Sequence, residues 1–250
     1  MTKGEKQVFY SGCQGDMRRF TKTAVPNCFS CTFKTSCFFN RLEPAAQKAW
    51  NGIRMSASLP DGQDIYSEHQ NPEGVFVVCK GRVKIFTTDP TGQQMIIWIR
   101  HPGEMFGHIA LFAGTDYLCN SRTMGATVLS CIDSKTIKEF LNSFPKTYPL
   151  LLRSISNEVR CAHLKLKDTA YKPAKSRIAL VLINAISYRS KNTSAPAIHG
   201  LKRTEIAEIT GLALETVVRA LAELEKKKII KRETKAIKIT NYPALLKLAS

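Results

Sequence analysis

Three cysteines lie close together near the beginning of the chain, in the segment Cys28-Phe-Ser-Cys31-Thr-Phe-Lys-Thr-Ser-Cys37. This C-x2-C-x5-C spacing lets a short segment fold back so that three sulfurs converge on one corner. Thiolates are ligands for zinc and for iron–sulfur clusters, and neighbouring thiols can also be oxidised. The segment is therefore predicted to bind a metal or to sense redox conditions.

The other cysteines give weaker indications of metal binding or redox chemistry. The chain has eight in all and no apolar signal-peptide core after its N-terminus, so we expect a cytoplasmic protein whose thiols stay reduced. Cys79 and Cys161 fall in a predicted strand and a predicted helix, where small buried apolar residues are the usual interpretation. Cys13, in the N-terminal tail, is expected to be a solvent-exposed thiol.

Composition and charge indicate an ordinary globular chain with a polyanionic partner. The 250 residues are 44% hydrophobic, which allows one large domain or two smaller ones and excludes a disordered tail or a disulfide-stapled miniprotein. The net charge is +17, and residues 172–250 alone contain 16 basic and 6 acidic residues. Positive charge concentrated in one segment favours nucleic acid as the partner, with an anionic membrane second.

The middle of the chain changes from a strand pattern to a helix pattern. Between Ile53 and Ile132, short alternating runs separated by turn residues, such as residues 74–86, predict an antiparallel barrel or sandwich. After Ser134 the period becomes helical, and Pro173 is expected to end or interrupt the helix. Five apolar residues form one narrow stripe on it, at Leu152, Ile155, Val159, Ala162 and Leu166.

A stripe of this width suits a coiled-coil partner and predicts a dimer interface. The alternative is a stripe that packs on the barrel of its own chain.

The C-terminal part has the pattern of a winged helix-turn-helix. Residues 177–186 are helical in period, residues 190–196 form a polar loop, and residues 204–221 contain two short helices joined at Gly211. Residues 229–239 predict a two-stranded wing.

These elements, in this order and over nearly the whole chain, resemble the cAMP receptor protein and FNR (fumarate and nitrate reduction) superfamily of bacterial transcription regulators. The stretch Gly211-Leu-Ala-Leu-Glu-Thr-Val-Val-Arg219 is similar to the recognition-helix motif of that family. The resemblance implies an α+β fold with a cyclic-nucleotide-binding-like β-barrel (jelly roll). The implied parts are a cysteine-rich segment (1–45), a sensory β-barrel (46–135), a dimerisation helix (136–172) and a winged helix-turn-helix domain (173–250).

The cyclic-nucleotide branch of the family is the poorer match. That branch holds its ligand with a Gly-Glu pair and an Arg-Ser pair. Here His108 stands in place of the Glu, and the Arg-Ser order is lost around Arg122. We therefore expect no cyclic nucleotide.

The cysteine spacing resembles the FNR branch instead, which implies a 4Fe-4S cluster on Cys28, Cys31 and Cys37. The resemblance also implies a fourth ligand at the end of the barrel, where Cys131 lies 94 residues after Cys37; Cys119 is the alternative. Zinc and unmetallated redox thiols stay open, although a four-cysteine zinc site usually has two C-x2-C pairs and this sequence has one. Four aromatic residues in or beside the loop would shield a cluster or belong to the core: Phe29, Phe33, Phe38 and Phe39.

The recognition helix supplies candidate DNA contacts. Arg219 suits a bidentate contact with guanine and Glu215 can accept from a cytosine amino group, with an intrahelical salt bridge as the alternative. Val218 can touch a thymine methyl, and Ala213 stands where a Ser or Thr N-cap is usual. Lys231 is predicted to meet a phosphate. Further basic residues in or near the wing are either phosphate contacts or a solvated charged surface: Lys226, Lys227, Lys228, Arg232, Lys235 and Lys238.

The combined prediction is a homodimeric regulator that senses oxygen or a related oxidant and binds a palindromic site in double-stranded DNA. RNA polymerase is the expected further partner, and no membrane partner is expected. By resemblance, the intact cluster orients the stripe helix for pairing and its loss in oxygen loosens the dimer. An enzyme is not expected, because the sequence has no phosphate loop or nucleophile elbow and its histidines are dispersed, at positions 69, 101, 108, 163 and 199.

Overall fold

The computed structural model describes residues 19–22, 25–187, 196–234 and 236–250. Cys13, Lys235 and most of the predicted polar loop lie outside these residues. In chain order the strands are β1 Met55–Leu59, β2 Asp64–Tyr66, β3 Gly74–Lys80, β4 Val83–Thr88, β5 Gln94–Arg100, β6 Met105–Phe106, β7 Asn120–Thr123, β8 Thr127–Asp133, β9 Ala197–His199, β10 Ile230–Glu233 and β11 Ala236–Ile239. The α-helices are α1 Pro44–Ile53, α2 His108–Ala113, α3 Ser134–Ser143, α4 Tyr148–Tyr171, α5 Ala174–Ser187, α6 Arg203–Thr210, α7 Leu214–Lys226 and α8 Tyr242–Ala249.

The chain divides into two units, one with residues 1–85 and 99–153 and one with residues 86–98 and 154–250. The strands before α3 form two four-stranded sheets, with the orders β1-β8-β3-β6 and β2-β7-β4-β5. Among the described residues these sheets do not close into a barrel, so the predicted jelly roll is an open pair of sheets. The predicted fold class is confirmed: a β-rich N-terminal domain, a long helix and a C-terminal helix-turn-helix domain.

Aromatic side chains fill the first unit. Phe76 on β3 lies 5.2 Å from Phe106 and 5.8 Å from Phe20, measured between ring centroids. Trp50 on α1 is 1% exposed and packs 5.3 Å from Phe140 on α3. Burial of such large rings stabilises the fold through the apolar area removed from water, and the contact between Trp50 and Phe140 fixes α1 beside α3.

The segment 136–172, predicted as the dimerisation helix, contains two helices. Helix α3 ends at Ser143, and α4 begins at Tyr148 after a 3-10 turn at Pro145–Thr147. The reason is Pro145, which lacks a backbone N–H and disfavours a helical conformation at Phe144. Phe144 accordingly has φ −128° and ψ 69°.

The helices of the C-terminal domain surround one apolar core. Ile178 and Leu182 of α5, Ile206 of α6 and Leu221 of α7 are each 0% exposed. Helix α4 ends two residues before Pro173 and α5 begins directly after it, as predicted. The wing has a third strand that the sequence did not indicate, because β9 pairs with β11 through Ile198 and Ile237.

None of the described helices is long and apolar enough to cross a membrane.

Candidate cysteine centre and nucleic-acid interface

The cysteine loop, residues 28–37, folds as successive tight turns. The backbone N–H of Cys31 donates to the carbonyl of Cys28 at 3.4 Å, and that of Cys37 donates to Lys34 at 3.1 Å. A 3-10 turn, Lys34–Ser36, lies inside the loop. These turns keep the three cysteines within one compact segment.

Arg54, which follows α1, ties this loop to the sheet. Its Nη2 atom donates to the Pro26 carbonyl at 2.7 Å and to the Asn51 side-chain oxygen at 2.8 Å, and its Nη1 atom donates to Ser130 Oγ at 3.2 Å. The same Asn51 oxygen accepts from the backbone N–H of Cys28 at 3.2 Å. Arg54 is only 3% exposed. Hydrogen bonds from a buried charged donor are strong and costly to lose, so Arg54 anchors the first cysteine beside β8.

Gly103, in the turn before β6, fixes the other end of the loop. Its backbone N–H donates to the carbonyl of Val78 in β3 at 2.8 Å. A Cβ atom at this position would lie 3.1 Å from both Cα and N of Cys37, and the φ of +92° also favours glycine. The backbone of Cys37 therefore lies against Gly103, and Gly103 is in turn hydrogen-bonded to β3.

The thiols near the loop are partly or fully removed from water. Cys37 is buried, and Cys28 and Cys31 are half-buried. Burial raises the pKa of the Cys28 thiol to about 11; nearby Arg54 opposes that rise, and Cys37 and Cys31 add to it. Burial also raises the pKa of Cys37. Both groups are therefore protonated at neutral pH, and binding a metal as thiolates would release their protons.

Cys79 also belongs to this group, although the sequence predicted only a small buried residue there. Burial raises the pKa of its thiol to about 12, with Arg54 opposing the rise and Cys28, Cys37 and Cys31 adding to it. Cys79 is thus within electrostatic range of all three loop cysteines. No spacing in the sequence indicates this proximity, since it depends on how the chain folds and not on local sequence.

Cys131 and Cys119 are the two candidates for a fourth ligand. Cys131 is 0% exposed and pairs with Phe76 across the β3–β8 ladder. Burial raises the pKa of Cys119, and the nearby Glu68 carboxylate adds to that rise. The structure therefore brings together the three loop cysteines and Cys79. Cys131 lies in the ladder between β3 and β8, where it pairs with Phe76.

The aromatic residues in and beside the loop have two different roles. Phe38 and Phe39 are buried, and Phe38 packs 5.6 Å from Trp50. Phe29 and Phe33 are 47% and 42% exposed. The core interpretation holds for Phe38 and Phe39, and the half-exposed Phe29 packs edge-on to Phe39 at 5.1 Å.

Two observations describe the bonding state of the cysteines in this structure. In the described part of the chain, no three His, Cys, Asp or Glu side chains are grouped as a metal site. The seven cysteines that the structure describes form no disulfide. The ligands of a four-iron cluster bind separate irons, so their sulfurs stand farther apart than the ligands of one ion.

The helix-turn-helix forms as the sequence predicts. Helix α6 ends at Gly211, which has φ +63° and caps the helix in the left-handed conformation. Helix α7 begins after Ala213, which makes no side-chain capping hydrogen bond. The missing cap leaves an N–H donor at the start of α7 without an intrahelical partner.

The candidate base-contacting residues lie on the outer face of α7. Glu215 and Arg219 are exposed, Val218 is half-buried, and Val217 and Leu221 face the core. Among the ion pairs of the described residues, none joins Glu215 to Arg219. Both side chains are therefore available to a ligand in the way that major-groove contact requires.

The basic residues of the wing differ in their surroundings: one is paired within the fold and another is exposed to solvent. Arg232 in β10 binds Glu225 of α7 through its backbone N–H at 2.7 Å and through its guanidinium at 2.6 and 2.7 Å. Lys231 is exposed and lies opposite Lys238 on β11. Arg232 therefore fixes the wing to α7, whereas Lys231 can reach a phosphate.

The apolar stripe of α4 is largely uncovered within one chain. Leu152 is 65% exposed, Val159 48% and Leu166 69%; Ala162 is also exposed and Ile155 is half-buried. Only Leu151 of this helix is buried. A stripe of exposed large apolar residues is typical of a protein interface, and the alternative that it packs on its own barrel is disfavoured.

The residues at the positions of the cyclic-nucleotide motifs are buried or paired with other residues of the chain. His108 begins α2 and is 1% exposed. Arg122 makes a bidentate pair with Asp64, with distances of 2.7 and 3.0 Å. The guanidinium is therefore directed at a carboxylate of the protein.

Two protein families match separate parts of the chain. The cyclic nucleotide-binding domain family matches residues 57–144, and the Crp-like helix-turn-helix domain family matches residues 176–248. A CRP-like cAMP-activated global transcriptional regulator of Mycobacterium tuberculosis is 24% identical over 213 residues, which is 84% of this chain and 95% of that protein. The transcriptional activator protein Anr of Pseudomonas aeruginosa is 26% identical over 199 residues, 79% of this chain and 81% of that protein.

Solved structures show the same fold. The structure of FixK2 from Bradyrhizobium japonicum has a TM-score of 0.70 at 23% identity, covering 79% of this chain and 98% of that one. The relatives of similar sequence include both a cAMP-activated regulator and an Anr protein.

Proposed function

This chain belongs to the CRP/FNR family of DNA-binding transcription regulators, and from that premise we propose that it responds to oxygen or a related oxidant through a 4Fe-4S cluster on its cysteine loop. The observation that carries the proposal is the arrangement of Cys28, Cys31 and Cys37 on a loop that Arg54 anchors to the sheet. The regulator binds a palindromic DNA site as a homodimer and acts there with RNA polymerase.

The donor set fits an iron–sulfur cluster. Thiolates are the usual ligands of such clusters, and the buried or half-buried loop thiols interact electrostatically with one another. The buried Arg54 guanidinium provides positive charge beside sulfurs that become anionic on binding. When bound, the cluster would supply an oxidant-sensitive link between the loop and the sheet.

Palindrome binding is supported by the outer face of α7 and the exposed stripe of α4. Two recognition helices about one turn of DNA apart contact both half-sites, whereas a monomer loses half of the base contacts. Burial of Leu152, Val159 and Leu166 against a second copy would remove apolar area from water at about 25 cal/mol per Å².

A cyclic nucleotide is not the proposed signal, although one relative is described as cAMP-activated. His108 is buried at the position expected for a Glu, and Arg122 is paired with Asp64. A phosphate or ribose at this place would have to displace that bidentate pair.

Anaerobic purification tests the cluster. The expected product is a brown protein with broad visible absorption, with iron and acid-labile sulfide in equal amounts. Its affinity for palindromic promoter DNA should fall when air bleaches the colour.

A colourless protein without sulfide that binds DNA equally in air and under nitrogen would contradict the proposal. Reversible loss of free thiols on oxidation, without iron, would instead support a thiol–disulfide switch. Stoichiometric zinc would support a zinc site.

A further inference from the structure

The first turn of α7 carries an exposed leucine. Leu214 is the first residue of this helix and is 39% exposed, whereas Leu212 just before it packs against the core of the domain. Val217 and Leu221, further along α7, are each 0% exposed and hold the helix against that core. Leu214 is therefore available to a ligand, while other residues of the helix provide its packing.

Leu214 and Val218 form an apolar row beside the charged row of α7. Residues four apart lie on the same side of a helix, so Leu214 lies next to Val218, as Glu215 lies next to Arg219. Each charged residue directly follows an apolar one in the sequence, and the two rows run side by side. Val218 is half-buried, and Glu215 and Arg219 are exposed. The surface that α7 offers to a major groove thus has an apolar flank.

The start of a recognition helix is the part that meets base edges in helix-turn-helix proteins. Ala213, at the N-cap of α7, has no side-chain acceptor for the N–H groups of the first turn. Free N–H groups at a helix start bind DNA phosphate oxygens. A phosphate at this end of α7 would bring Leu214, the next residue, to the base edges beside it.

A leucine side chain can recognise one kind of group on the major-groove edges of DNA. It neither donates nor accepts a hydrogen bond, so a polar base edge placed against it would lose water without a replacement. The C5-methyl group of thymine is the apolar group on these edges. Contact between leucine and this methyl removes apolar area of both from water and leaves no polar group unpaired.

We propose that Leu214 is a specificity-determining residue that contacts a thymine methyl in each half-site, next to the base pairs contacted by Glu215 and Arg219. The apolar row selects thymine where the charged row selects a G·C pair. This inference rests on the proposed binding of a palindromic site and does not involve the cysteine loop.

The test removes the methyl group alone. The full chain, purified without oxygen, is used to select a palindromic duplex from a random oligonucleotide pool. Each thymine of the half-site is then replaced in turn by deoxyuridine, in both half-sites at once. Deoxyuridine keeps every hydrogen-bonding group of thymine and lacks only the C5-methyl.

Dissociation constants for each duplex are measured with wild type, Leu214→Ala, Val218→Ala and Leu246→Ala. The last variant is the matched control, because Leu246 is 42% exposed on α8 of the same domain. We expect deoxyuridine at one particular thymine to weaken wild-type binding about fourfold for each half-site, the effect of withdrawing one methyl-sized group from burial.

Leu214→Ala should bind the unmodified duplex with the same loss of affinity and should not respond to deoxyuridine at that thymine. Val218→Ala and Leu246→Ala should keep the wild-type response there, because the methyl contact of Leu214 is intact in both.

Wild-type binding that no deoxyuridine replacement weakens would overturn the proposal. So would a Leu214→Ala variant that keeps every wild-type response to deoxyuridine, since the methyl contact would then belong to another residue. Failure of the wild-type protein to select any palindrome would overturn the proposed function itself, and this inference with it.

Discussion

Lys165 of α4 donates a hydrogen bond of 2.5 Å from its Nζ atom to the carbonyl oxygen of Ile96 in β5, and a second of 3.3 Å to that of Ile97. Burial lowers the pKa of this ammonium group from 10.5 to about 8. A low-dielectric surrounding disfavours the charged form, so the charged lysine costs free energy in the folded chain.

The first prediction is that stability contributed by this group increases as the pH rises from about 8 to the unfolded value of 10.5. In that interval the unfolded chain binds more protons at Lys165 than the folded chain, and the free energy of unfolding therefore rises with pH. The full effect is on the order of 3 kcal/mol. Thermal unfolding of wild type, Lys165→Met and Lys167→Met across this range measures it.

Only Lys165→Met should lose the gain, because Lys167 is exposed on the same helix. Titration of cysteines and tyrosines is common to the three proteins and cancels in the comparison. Equal pH slopes in all three would show that the Lys165 ammonium is not destabilised by burial.

The second prediction concerns base contacts. Arg219→Ala should weaken binding of the palindrome by roughly 1–3 kcal/mol and relax the preference at one G·C pair in each half-site, because a bidentate contact with guanine is lost. Selection from a random oligonucleotide pool with wild type and variant measures both effects. A variant that keeps the wild-type consensus would remove Arg219 from the base-contacting set.

The third prediction concerns phosphate contact by the wing. Lys231→Ala should weaken binding to all sequences alike and reduce the slope of log K against log salt by about one for each half-site. Titrations at several salt concentrations measure the slope. Lys247→Ala, at an exposed position of α8, is the control; the same slope change in both variants would argue against a specific wing contact.

The fourth prediction concerns the apolar stripe. Val159→Glu should convert the dimer to a monomer, since pairing would bury an unpaired carboxylate at a position that is 48% exposed in one chain. Sedimentation of the anaerobic protein measures the mass. Asn157→Glu, exposed on the same helix but outside the stripe, should stay dimeric. If both variants were dimers, the interface would lie elsewhere.

The fifth prediction follows from the uncapped start of α7. Ala213→Ser should stabilise the C-terminal domain by about 1 kcal/mol, because a serine oxygen can accept from a free N–H of the first turn. The measurement is the unfolding midpoint in denaturant. Ala222→Ser, at an exposed position inside the same helix, should be neutral or slightly destabilising. No difference between the two variants would mean that water already satisfies the terminus.

Local chemistry made several features predictable from the sequence. Gly211 ends α6, Ala213 stands at the N-cap of α7 and Pro173 follows the end of α4, because each depends on the conformational preference of a single residue. The apolar stripe on α4 was equally predictable from the sequence, since the spacing of its residues is set by the period of the helix.

Features that depend on register or on distant contacts could not be predicted. The position of Cys79 follows from one extra residue in β3, and no local pattern marks that bulge. Arg54 resembles any surface arginine in the sequence, and its role appears only when Pro26, Asn51 and Ser130 surround it. The third wing strand arises from pairing across about forty residues of chain.

The pairing of Arg232 with Glu225 has a consequence for the thermodynamics of DNA binding. Because both the backbone and the guanidinium of Arg232 bind one carboxylate at the end of α7, the neighbouring Lys231 is held at a fixed separation from the base-contacting face. The separation between Lys231 and the proposed base-contacting face of α7 is thus set before DNA arrives. Little conformational entropy remains to be lost in the wing on association, and a change of half-site would have to be met by bending of the DNA rather than by movement of the wing.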